Sequence, residues 1–554
     1  MRKNVGNAIL ATLALVNFMA IINISIVNVA LPAMELDLGT NLAGLQWVVN
    51  AFAICLSALM LTGGALGDRF GRKGVFLFGV GLFLFGSVLC ALATGLPSLI
   101  VGRVVQGVGA SMLIPGSLSI LTQTFTDPAE RARRIGVWAA ASAVGLAAGP
   151  VLGGFLIDAY GWPAIFWAGV PVGIVGFIGT VLVVPESSDP ADTALDLPGQ
   201  VLGISALGTL SFGLIRLGET GWRDVTALMA LAGAAVLLTV FVIVEWHRAS
   251  PMLPVRMFTD RHFAVMNVAS AALGFAPYAI YAFLSLFMQQ VQHLTATEAG
   301  LAFLPMAVAT GLVAPLAGRW TGRSGPRPAL MVGYTLSTVG VGGLFLVQPD
   351  SSYALLGPLY VCIGLGIGLS MTPTTTAAVT AAPRQRSGIA AATINTTRQT
   401  GLAIGVALLG AIVAANSDFT AGLRAAAIVA GLVSLVALVL ICFTADPAAS
   451  RVRSSPGSLP HAVVDPLAGR FQRSVFVWSV RAGAGLEDGA RSEVVGEVPV
   501  HPADSFGGHE VDVPLRHGEV VGAVAAVGLR AELGDEDRED VGGAVERIEV
   551  LLPV

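Results

Sequence analysis

Long apolar runs, separated by short polar or glycine-rich segments, fill the first 444 residues of the chain. A helix needs about 20 apolar residues to cross the core of a bilayer. Each such run must be helical in lipid, because its backbone polar groups find no water there. The pattern therefore predicts fourteen membrane-spanning helices, at residues 8–31, 46–66, 74–94, 98–122, 134–157, 163–184, 197–216, 225–244, 263–289, 298–318, 329–347, 352–378, 388–414 and 420–443.

The composition agrees with this pattern. The 554 residues are 55% hydrophobic and only 12% charged, whereas soluble domains carry about 25% charged residues. The four cysteines lie inside apolar runs and form neither a CxxC motif nor a Cys/His cluster. We therefore predict a polytopic, all-α membrane protein without a disulfide, a metal site or a cofactor.

Basic residues divide unequally between the two sides of the predicted bundle. With the N-terminus inside, clusters such as residues 69–73 and 131–134 fall on the cytoplasmic side, and the outer side keeps little more than Arg216, Arg223 and Arg424. Positive charge is enriched in cytoplasmic loops. We expect a multi-pass protein of the cytoplasmic (inner) membrane with both termini in the cytoplasm.

The chain also repeats itself. Spans 4 and 12 carry similar glycine- and methionine-containing stretches, at residues 107–115 and 366–373. A basic loop that contains proline follows each, and then a helix with spaced glycines, at residues 145–149 and 401–405. Chance similarity is the alternative for any single match, but the shared order predicts two parallel halves around a central site.

These features predict four regions. Two pseudo-symmetric six-helix bundles occupy residues 1–185 and 263–444, and an inserted helix pair with its linkers occupies residues 186–262. Residues 445–554 lack long apolar runs and are net acidic. We expect them to form a poorly structured cytoplasmic tail, to which the sequence assigns no function.

A short charged segment, residues 64–74, joins predicted spans 2 and 3. Glycine permits a tight turn there, and Asp68 is the only acid beside three bases. An ordinary positive loop is the alternative, but the spacing of glycines and charges favours a gate at the cytoplasmic face. The gate positions are Gly64, Asp68, Arg69, Gly71, Arg72 and Lys73.

Two further features lie inside spans. Arg103 places a guanidinium in span 4, where a charge usually faces a cavity or a partner; snorkelling to the interface is the alternative. Span 5 presents a smooth face that allows close helix contact, for which a plain packing groove is the alternative. This face comprises Gly145, Gly149, Pro150, Gly153 and Gly154.

Together these segments resemble the major facilitator superfamily, and within it the fourteen-span drug:proton antiporter branch. Residues 64–74 are similar to its GxLaDrxGrk signature, residues 103–109 to its RxxQGxG element, and residues 145–154 to the GxxxGPxxGG element of exporters. Residues 26–32 and 46–49 resemble markers of the branch in spans 1 and 2. The resemblance covers residues 1–444 and leaves the tail out.

The resemblance implies roles for these residues. Asp68 would tie spans 2 and 3 to the neighbouring bundle at the cytoplasmic side, and this bond would break in the other state of the gate. Arg103 would belong to the proton-coupling path. The glycine and proline face of span 5 would form a hinge or seal against span 10. The proton motive force, and no cofactor, would supply the energy.

Asn23 departs from the pattern of this branch, which usually carries an acid at this position of span 1. Asparagine does not titrate, and no Asp or Glu lies well inside any predicted span. The remaining proton carriers are Glu35, Glu298 or His293, whose reference pKa of about 6.5 suits the role, or the substrate itself. Without a deep acid, we expect neutral, zwitterionic or anionic amphiphiles rather than multivalent cations.

Polar residues in the spans supply candidates for the substrate cavity, and Arg398 could pair with an anionic group. The candidates are Asn17, Asn23, Gln106, Asn395, Arg398 and Gln399.

The sequence thus predicts proton-coupled export of small amphiphilic compounds by alternating access. The alternatives are a dedicated exporter of one metabolite or antibiotic, and a membrane sensor that no longer transports and uses the tail as its output. An enzyme is not expected, because no nucleophile, base and orienting group converge. The expected partners are the substrate, the proton and the bilayer, with no nucleic acid, and the protein is expected to be a monomer.

Overall fold

The structure is a computed structural model that describes residues 3–125, 127–188, 196–248, 251–382 and 387–444. The predicted tail, residues 445–554, lies outside the described residues. Within these ranges, fourteen helices are long and apolar enough to cross a membrane, which confirms the predicted all-α membrane fold. Spans 1 to 14 are Asn4–Leu38, Leu42–Phe70, Arg72–Ala91, Leu96–Thr124, Arg133–Tyr160, Ala164–Val183, Leu197–Thr220, Val225–His247, Arg261–Val291, Ala296–Ser324, Pro326–Leu346, Tyr353–Ala381, Ile389–Ala414 and Phe419–Phe443.

Several spans begin at a polar side chain that caps the helix. The side chains of Asn41, Asp196, Asp224, Asp260 and Asp418 each accept a hydrogen bond from a backbone N–H in the first turn. Such caps satisfy backbone donors that the helix leaves unpaired. Spans 7 and 8 begin at the predicted residues, 197 and 225, whereas span 2 begins at Leu42, ahead of the predicted residue 46.

Span 9 is not a regular α-helix. It contains two π-helical turns, Gly274–Tyr278 and Phe287–Val291, and Pro277 lies in the first. Proline removes a backbone donor and disturbs the helical ladder, and π turns often mark functional positions. A Cβ atom at Gly274 would lie 1.9 Å from the backbone oxygen of Arg398, so only glycine allows spans 9 and 13 to approach this closely.

Helix packing follows one scheme in both halves of the chain. Span 1 packs on spans 5 and 6, span 2 on span 4, and span 3 on spans 4 and 6. In the same way, span 9 packs on spans 13 and 14, span 10 on span 12, and span 11 on spans 12 and 14. The two halves meet where span 5 packs on span 10 and span 2 on span 13.

Spans 7 and 8 stand outside this scheme. Span 7 packs on span 2 of the first half and on span 13 of the second, and span 8 packs mainly on span 7. Span 8 exposes large apolar side chains such as Val236, Val242 and Ile243. In a membrane protein such a face meets lipid, so the inserted pair lies at the periphery of the described bundle.

Candidate functional site

A central cavity lies between the two halves. Its walls come from spans 1, 2, 4 and 5 of the first half and from spans 9, 10, 12 and 13 of the second. These are corresponding spans in the repeated packing scheme. Most of the wall is apolar or aromatic, and the polar groups are few. The main polar and aromatic lining residues are Ser25, Asn28, Phe52, Arg103, Tyr278, Tyr281 and Thr310.

Arg103 is the charged group of this wall. Its side chain is only 2% exposed, and its Nη1 donates to the side-chain oxygens of Asn23 at 2.7 Å and Gln106 at 2.8 Å. Its Nε donates to the backbone oxygen of Val48 at 3.0 Å, and its guanidinium lies 4.3 Å from the centre of the Phe52 ring. The cation is thus held by neutral oxygens and an aromatic face, deep between spans and away from a snorkelling position.

The second half contributes another arginine near the cavity. Arg398 of span 13 is half-buried and donates to the side-chain oxygen of Asn395. It lies one turn before Leu402, which lines the cavity. Among the described residues, no carboxylate forms an ion pair with Arg103 or Arg398. The surroundings of the cavity therefore carry positive charge that no carboxylate of the described residues pairs with.

The predicted cavity residues lie around this wall rather than on it. Asn23 and Gln106 accept hydrogen bonds from Arg103 but do not line the cavity, and Asn395 accepts one from Arg398. Asn17 donates to the hydroxyl of Ser142, which joins spans 1 and 5. Gln399 is half-buried on span 13. The sequence did not single out Phe52, Tyr278 and Tyr281, because aromatic residues in an apolar run carry no separate signal.

The cavity is closed at one end, which we call the closed end. There the backbones of spans 5 and 10 touch. A Cβ atom at Gly154 would lie 2.3 Å from the backbone oxygen of Ala296, and one at Gly300 would lie 2.3 Å from that of Pro150. Any side chain at either glycine would hold the two helices apart.

The other glycines of span 5 have a different partner from the expected one. Gly145, Gly149 and Gly153 face span 1 of the same half, and a Cβ atom at Gly149 would lie 2.0 Å from Ser25 Oγ. The expectation that the whole face meets span 10 is therefore corrected, because residues four apart share one side of a helix whereas Pro150 and Gly154 lie further round. Of the five residues of this face, Pro150 and Gly154 are the ones that contact span 10.

Side chains reinforce the closed end. The carboxylate of Asp158 on span 5 accepts hydrogen bonds from the backbone N–H groups of Thr297 at 2.8 Å and Ala296 at 3.3 Å, where span 10 begins. Gln46 of span 2 donates to the backbone oxygens of Val406 at 2.8 Å and Ala407 at 3.2 Å on span 13. Both contacts join one half to the other.

The expected proton carriers Glu35, Glu298 and His293 also lie at the closed end, and the two acids accept hydrogen bonds there. Glu35 accepts a hydrogen bond from Gln290 of the other half. Glu298 forms a capping box with Thr295 at the start of span 10. His293 is exposed in the preceding loop, with a left-handed φ of 56°. Asp158, which the sequence did not single out, makes the stronger connection between the halves.

Residues 64–74 lie at the opposite end, which we call the loop end. Gly71 has a φ of 105°, in the left-handed region that favours glycine, and ends span 2. Asp68 accepts hydrogen bonds from Arg72, at 2.6 Å from Nη2 and 2.7 Å from Nε. Asp68 thus pairs within its own loop in this structure, and the expected tie to the other half is not formed between described residues.

Glu186, just beyond span 6, fixes this loop. Its carboxylate accepts hydrogen bonds from the backbone N–H groups of Lys73 at 3.0 Å and Gly74 at 3.1 Å. A carboxylate at the first turn of a helix also meets the positive end of the helix dipole. The amino group of Lys73 donates to the backbone oxygen of Val181. The sequence did not single out Glu186.

Comparisons with known proteins agree with this architecture. Residues 13–406 match the Major Facilitator Superfamily. The chain is 35% identical over 398 residues to the multidrug resistance protein Stp of Mycobacterium tuberculosis, covering 72% of this chain and 74% of Stp. It is 33% identical over 445 residues to the methylenomycin A resistance protein of Bacillus subtilis, covering 80% of this chain and 95% of that protein.

Solved structures support the same fold. The human organic anion transporter MFSD10 aligns with a TM-score of 0.55 at 14% identity, over 79% of this chain and 99% of its own. A POT family transporter in complex with a thioalcohol-conjugated peptide aligns with a TM-score of 0.59 at 15% identity, over 78% of this chain and 95% of its own. The sequence, the repeated helix packing and these matches show that the chain belongs to the Major Facilitator Superfamily and is a multi-pass membrane transporter.

Proposed function

We propose that this protein exports small amphiphilic compounds, including antibiotics, across the cytoplasmic membrane in exchange for protons. The observation that carries the proposal is the central cavity, which corresponding spans of both halves enclose. The halves would rock about this cavity and open it to each side in turn. The names of the relatives, which include multidrug and antibiotic resistance proteins, support the choice of substrate.

The charges near the cavity favour neutral or anionic substrates. Within the described part of the chain, the polar partners of Arg103 are neutral oxygens, and its guanidinium lies over an aromatic ring. An acidic group of a substrate would find an unneutralised guanidinium there, and charge-assisted hydrogen bonds to arginine are strong. Phe52, Tyr278 and Tyr281 would hold the apolar part of the molecule.

Transport into liposomes tests the proposal directly. The purified protein would be reconstituted and given a pH gradient together with a panel of labelled anionic, neutral and cationic compounds. We expect uptake of amphiphiles only while the gradient lasts, and loss of uptake when an uncoupler is added. Uptake that survives the uncoupler would reject proton coupling.

A pair of arginine variants tests whether anionic compounds bind in the cavity. Arg103→Ala should abolish uptake of the anionic compounds, because it removes the cation of the wall. Arg216→Ala removes an arginine that pairs with Asp224 at the closed end, away from the cavity, and should leave uptake near the wild-type rate. Equal loss in both variants would point to a general effect on folding and not to the cavity.

A dedicated exporter of one compound is the second candidate. Its support is that some relatives carry the name of a single antibiotic, such as the tetracenomycin C resistance and export protein of Streptomyces glaucescens and the cephamycin export protein of Amycolatopsis lactamdurans. Competition distinguishes the two: many unrelated amphiphiles should inhibit a multidrug exporter, whereas one chemical series should inhibit a dedicated one.

A further inference from the structure

Two buried carboxyl groups lie together at the loop end of the inserted helix pair. Asp196 caps the start of span 7, and Glu245 lies in the last turn of span 8. Glu245 is 1% exposed and Asp196 is 5% exposed. A Cβ atom at Gly199 would lie 2.1 Å from Glu245 Oε1 and 2.9 Å from Asp196 Oδ2, so both carboxyl groups converge on one small space.

Asp196 accepts more hydrogen bonds from its surroundings than Glu245 does. Asp196 Oδ1 accepts from Arg248 Nη1 at 2.9 Å and from the N–H of Gly199 at 2.9 Å, and Oδ2 accepts from the N–H of Met252. Glu245 Oε2 accepts from the N–H of Leu253 at 2.8 Å. Glu245 Oε1 is buried and has no donor in the part of the chain that the structure describes. Because Glu245 Oε1 and Asp196 Oδ2 lie 2.1 and 2.9 Å from the same Cβ position at Gly199, the two oxygens are at most about 5 Å apart.

The charges do not balance if both acids are ionised. Arg248 is the one cation that bonds to the pair among the described residues. His247 and Arg256, which are exposed nearby, bond to the backbone oxygens of Ile243 and Trp246. On the facing turns of span 2, Thr62 and the backbone oxygen of Ala58 bond to Gln200. Buried carboxylates this close, with one partly exposed arginine, repel each other unless a proton lies between them.

We propose that Glu245 and Asp196 form a proton-binding site, in which one proton is shared between Glu245 Oε1 and Asp196 Oδ2. A protonated Glu245 donates to Asp196, and this hydrogen bond satisfies the one buried oxygen that lacks a partner. The proton comes from water at the loop end and returns there. The cavity itself offers no carboxyl group among its lining residues, so this pair is a titratable site outside it.

The site connects parts of the protein that alternating access would move. Met252 and Leu253, which donate to the two acids, belong to the linker that leads from span 8 to span 9. Gln200, one turn from Asp196, bonds to span 2, which ends in the loop of Asp68. Loss of the shared proton would bring two negative charges together and loosen the linker, so occupancy of the site would bias the contact between span 2 and the second half.

Infrared spectroscopy of the full-length protein in lipid nanodiscs tests the site without any substrate. A protonated carboxyl group gives a carbonyl band that an ionised one lacks. We expect the wild type to show such a band near neutral pH, where an ordinary carboxyl group is ionised, and to lose it at alkaline pH. Glu245→Gln should lose the band, and Asp196→Asn should also lose it because Glu245 then ionises beside Arg248.

A matched acid on the same helix serves as the control. Asp224 caps the other end of span 8, and its hydrogen bonds, first of all to Thr220, hold the pKa of its carboxyl group below its ordinary value. It is therefore ionised at neutral pH and contributes no band. Asp224→Asn retains a capping side chain and should leave the spectrum unchanged.

Two results would overturn the proposal. One is a wild-type spectrum in which no band near neutral pH depends on Glu245 or Asp196, since both acids would then be ionised. The other is a Na⁺-dependent rise of the melting temperature that Glu245→Gln removes, since the pair would then bind a metal cation. The spectrum is recorded without transport, so this test is independent of the proposed function. The band can be present when uptake does not depend on the pH gradient, and it can be absent when uptake is coupled to protons.

Discussion

The guanidinium of Arg103 donates a 2.7 Å hydrogen bond to the amide oxygen of Asn23. Both side chains are buried, and they join spans 4 and 1 beside the central cavity. Asn23, where the resemblance led us to expect an acid, thus lies directly on the intramembrane arginine. An amide there satisfies a hydrogen bond but leaves the positive charge available to a ligand.

Asn23→Asp should therefore change the charge preference of transport. The new carboxylate would form an ion pair with Arg103 and neutralise the cavity wall. We expect the ratio of anion to cation uptake to fall by about tenfold, the factor that about 1.4 kcal/mol in the barrier produces. Liposome uptake of a matched anionic and cationic compound measures this ratio.

Asn23→Ala provides the control, because it removes the hydrogen-bond acceptor without adding charge. Its ratio of anion to cation uptake should stay near that of the wild type, even if the overall rate is lower. An equal shift of the ratio in both variants would mean that the charge at position 23 is not the cause.

Gly154→Ala should prevent the closed end from closing. The added Cβ would lie 2.3 Å from the backbone oxygen of Ala296 and 2.7 Å from Thr297 Cα, and backbone cannot move aside as a side chain can. Overpacking of this kind costs about 1–3 kcal/mol, so we expect transport to fall by about 5- to 150-fold. The measurement is the initial rate of uptake at equal amounts of reconstituted protein.

Gly136→Ala is a control in the same helix, since nothing lies within 4 Å of a Cβ atom there. It should transport at the wild-type rate. If Gly154→Ala is as active as Gly136→Ala, spans 5 and 10 do not need to touch during the transport cycle.

Asp158→Asn should weaken the same closed end through charge. A carboxylate at the start of a helix contributes about 0.3–1 kcal/mol, and here it accepts from two backbone N–H groups of span 10. The amide keeps one acceptor oxygen but loses the charge. We expect the population open at this end to rise by about 2- to 5-fold, measured as the rate at which an impermeant maleimide labels Thr297→Cys in a protein without native cysteines.

Asp37→Asn distinguishes the loss of the contact between Asp158 and span 10 from a general effect of removing an acid. Asp37 also lies at the closed end, but it accepts a hydrogen bond from Trp162 within the same half. Its substitution should leave the labelling rate unchanged. Faster labelling in Asp37→Asn to the same extent would show that Asp158 has no special connection to span 10.

The residues show which features the sequence could predict. The number of spans follows from the length of the apolar runs, which is a local property of the sequence. The four-residue spacing of Gly145, Gly149 and Gly153 is local as well, and it places them on one side of span 5. The partner of each glycine depends on how distant helices pack, so the sequence could not separate Gly149, which meets Ser25, from Gly154, which meets Ala296.

The same limit applies to the charged residues. Asp158, Glu186 and Glu245 all lie near span ends, where an acid is ordinary and hydropathy assigns no role. Their contacts come from segments 138, 113 and 8 residues away in the chain. Burial of Glu245 depends on span 7 and the linker, neither of which its own sequence neighbourhood reveals.

Asp68→Asn should reduce transport by about tenfold or more without preventing insertion into the membrane. The aspartate accepts from Arg72, which is 6% exposed, and the substitution leaves this buried cation without a carboxylate. The loop would then lose the geometry that Gly71 and Glu186 otherwise support. Uptake per amount of protein in the membrane is the measurement.

Glu130→Gln is a closely matched control for this loop. Arg134 and Glu130 form an ion pair four residues apart in the helix Pro128–Tyr160, which contains span 5. Their exposures of 9% and 40% resemble the 6% and 36% of Arg72 and Asp68. If the gate depends on the loop between spans 2 and 3, Glu130→Gln should lower transport much less than Asp68→Asn. Equal losses would assign the effect to the removal of any such pair, and near-normal uptake by Asp68→Asn would exclude Asp68 from the gate.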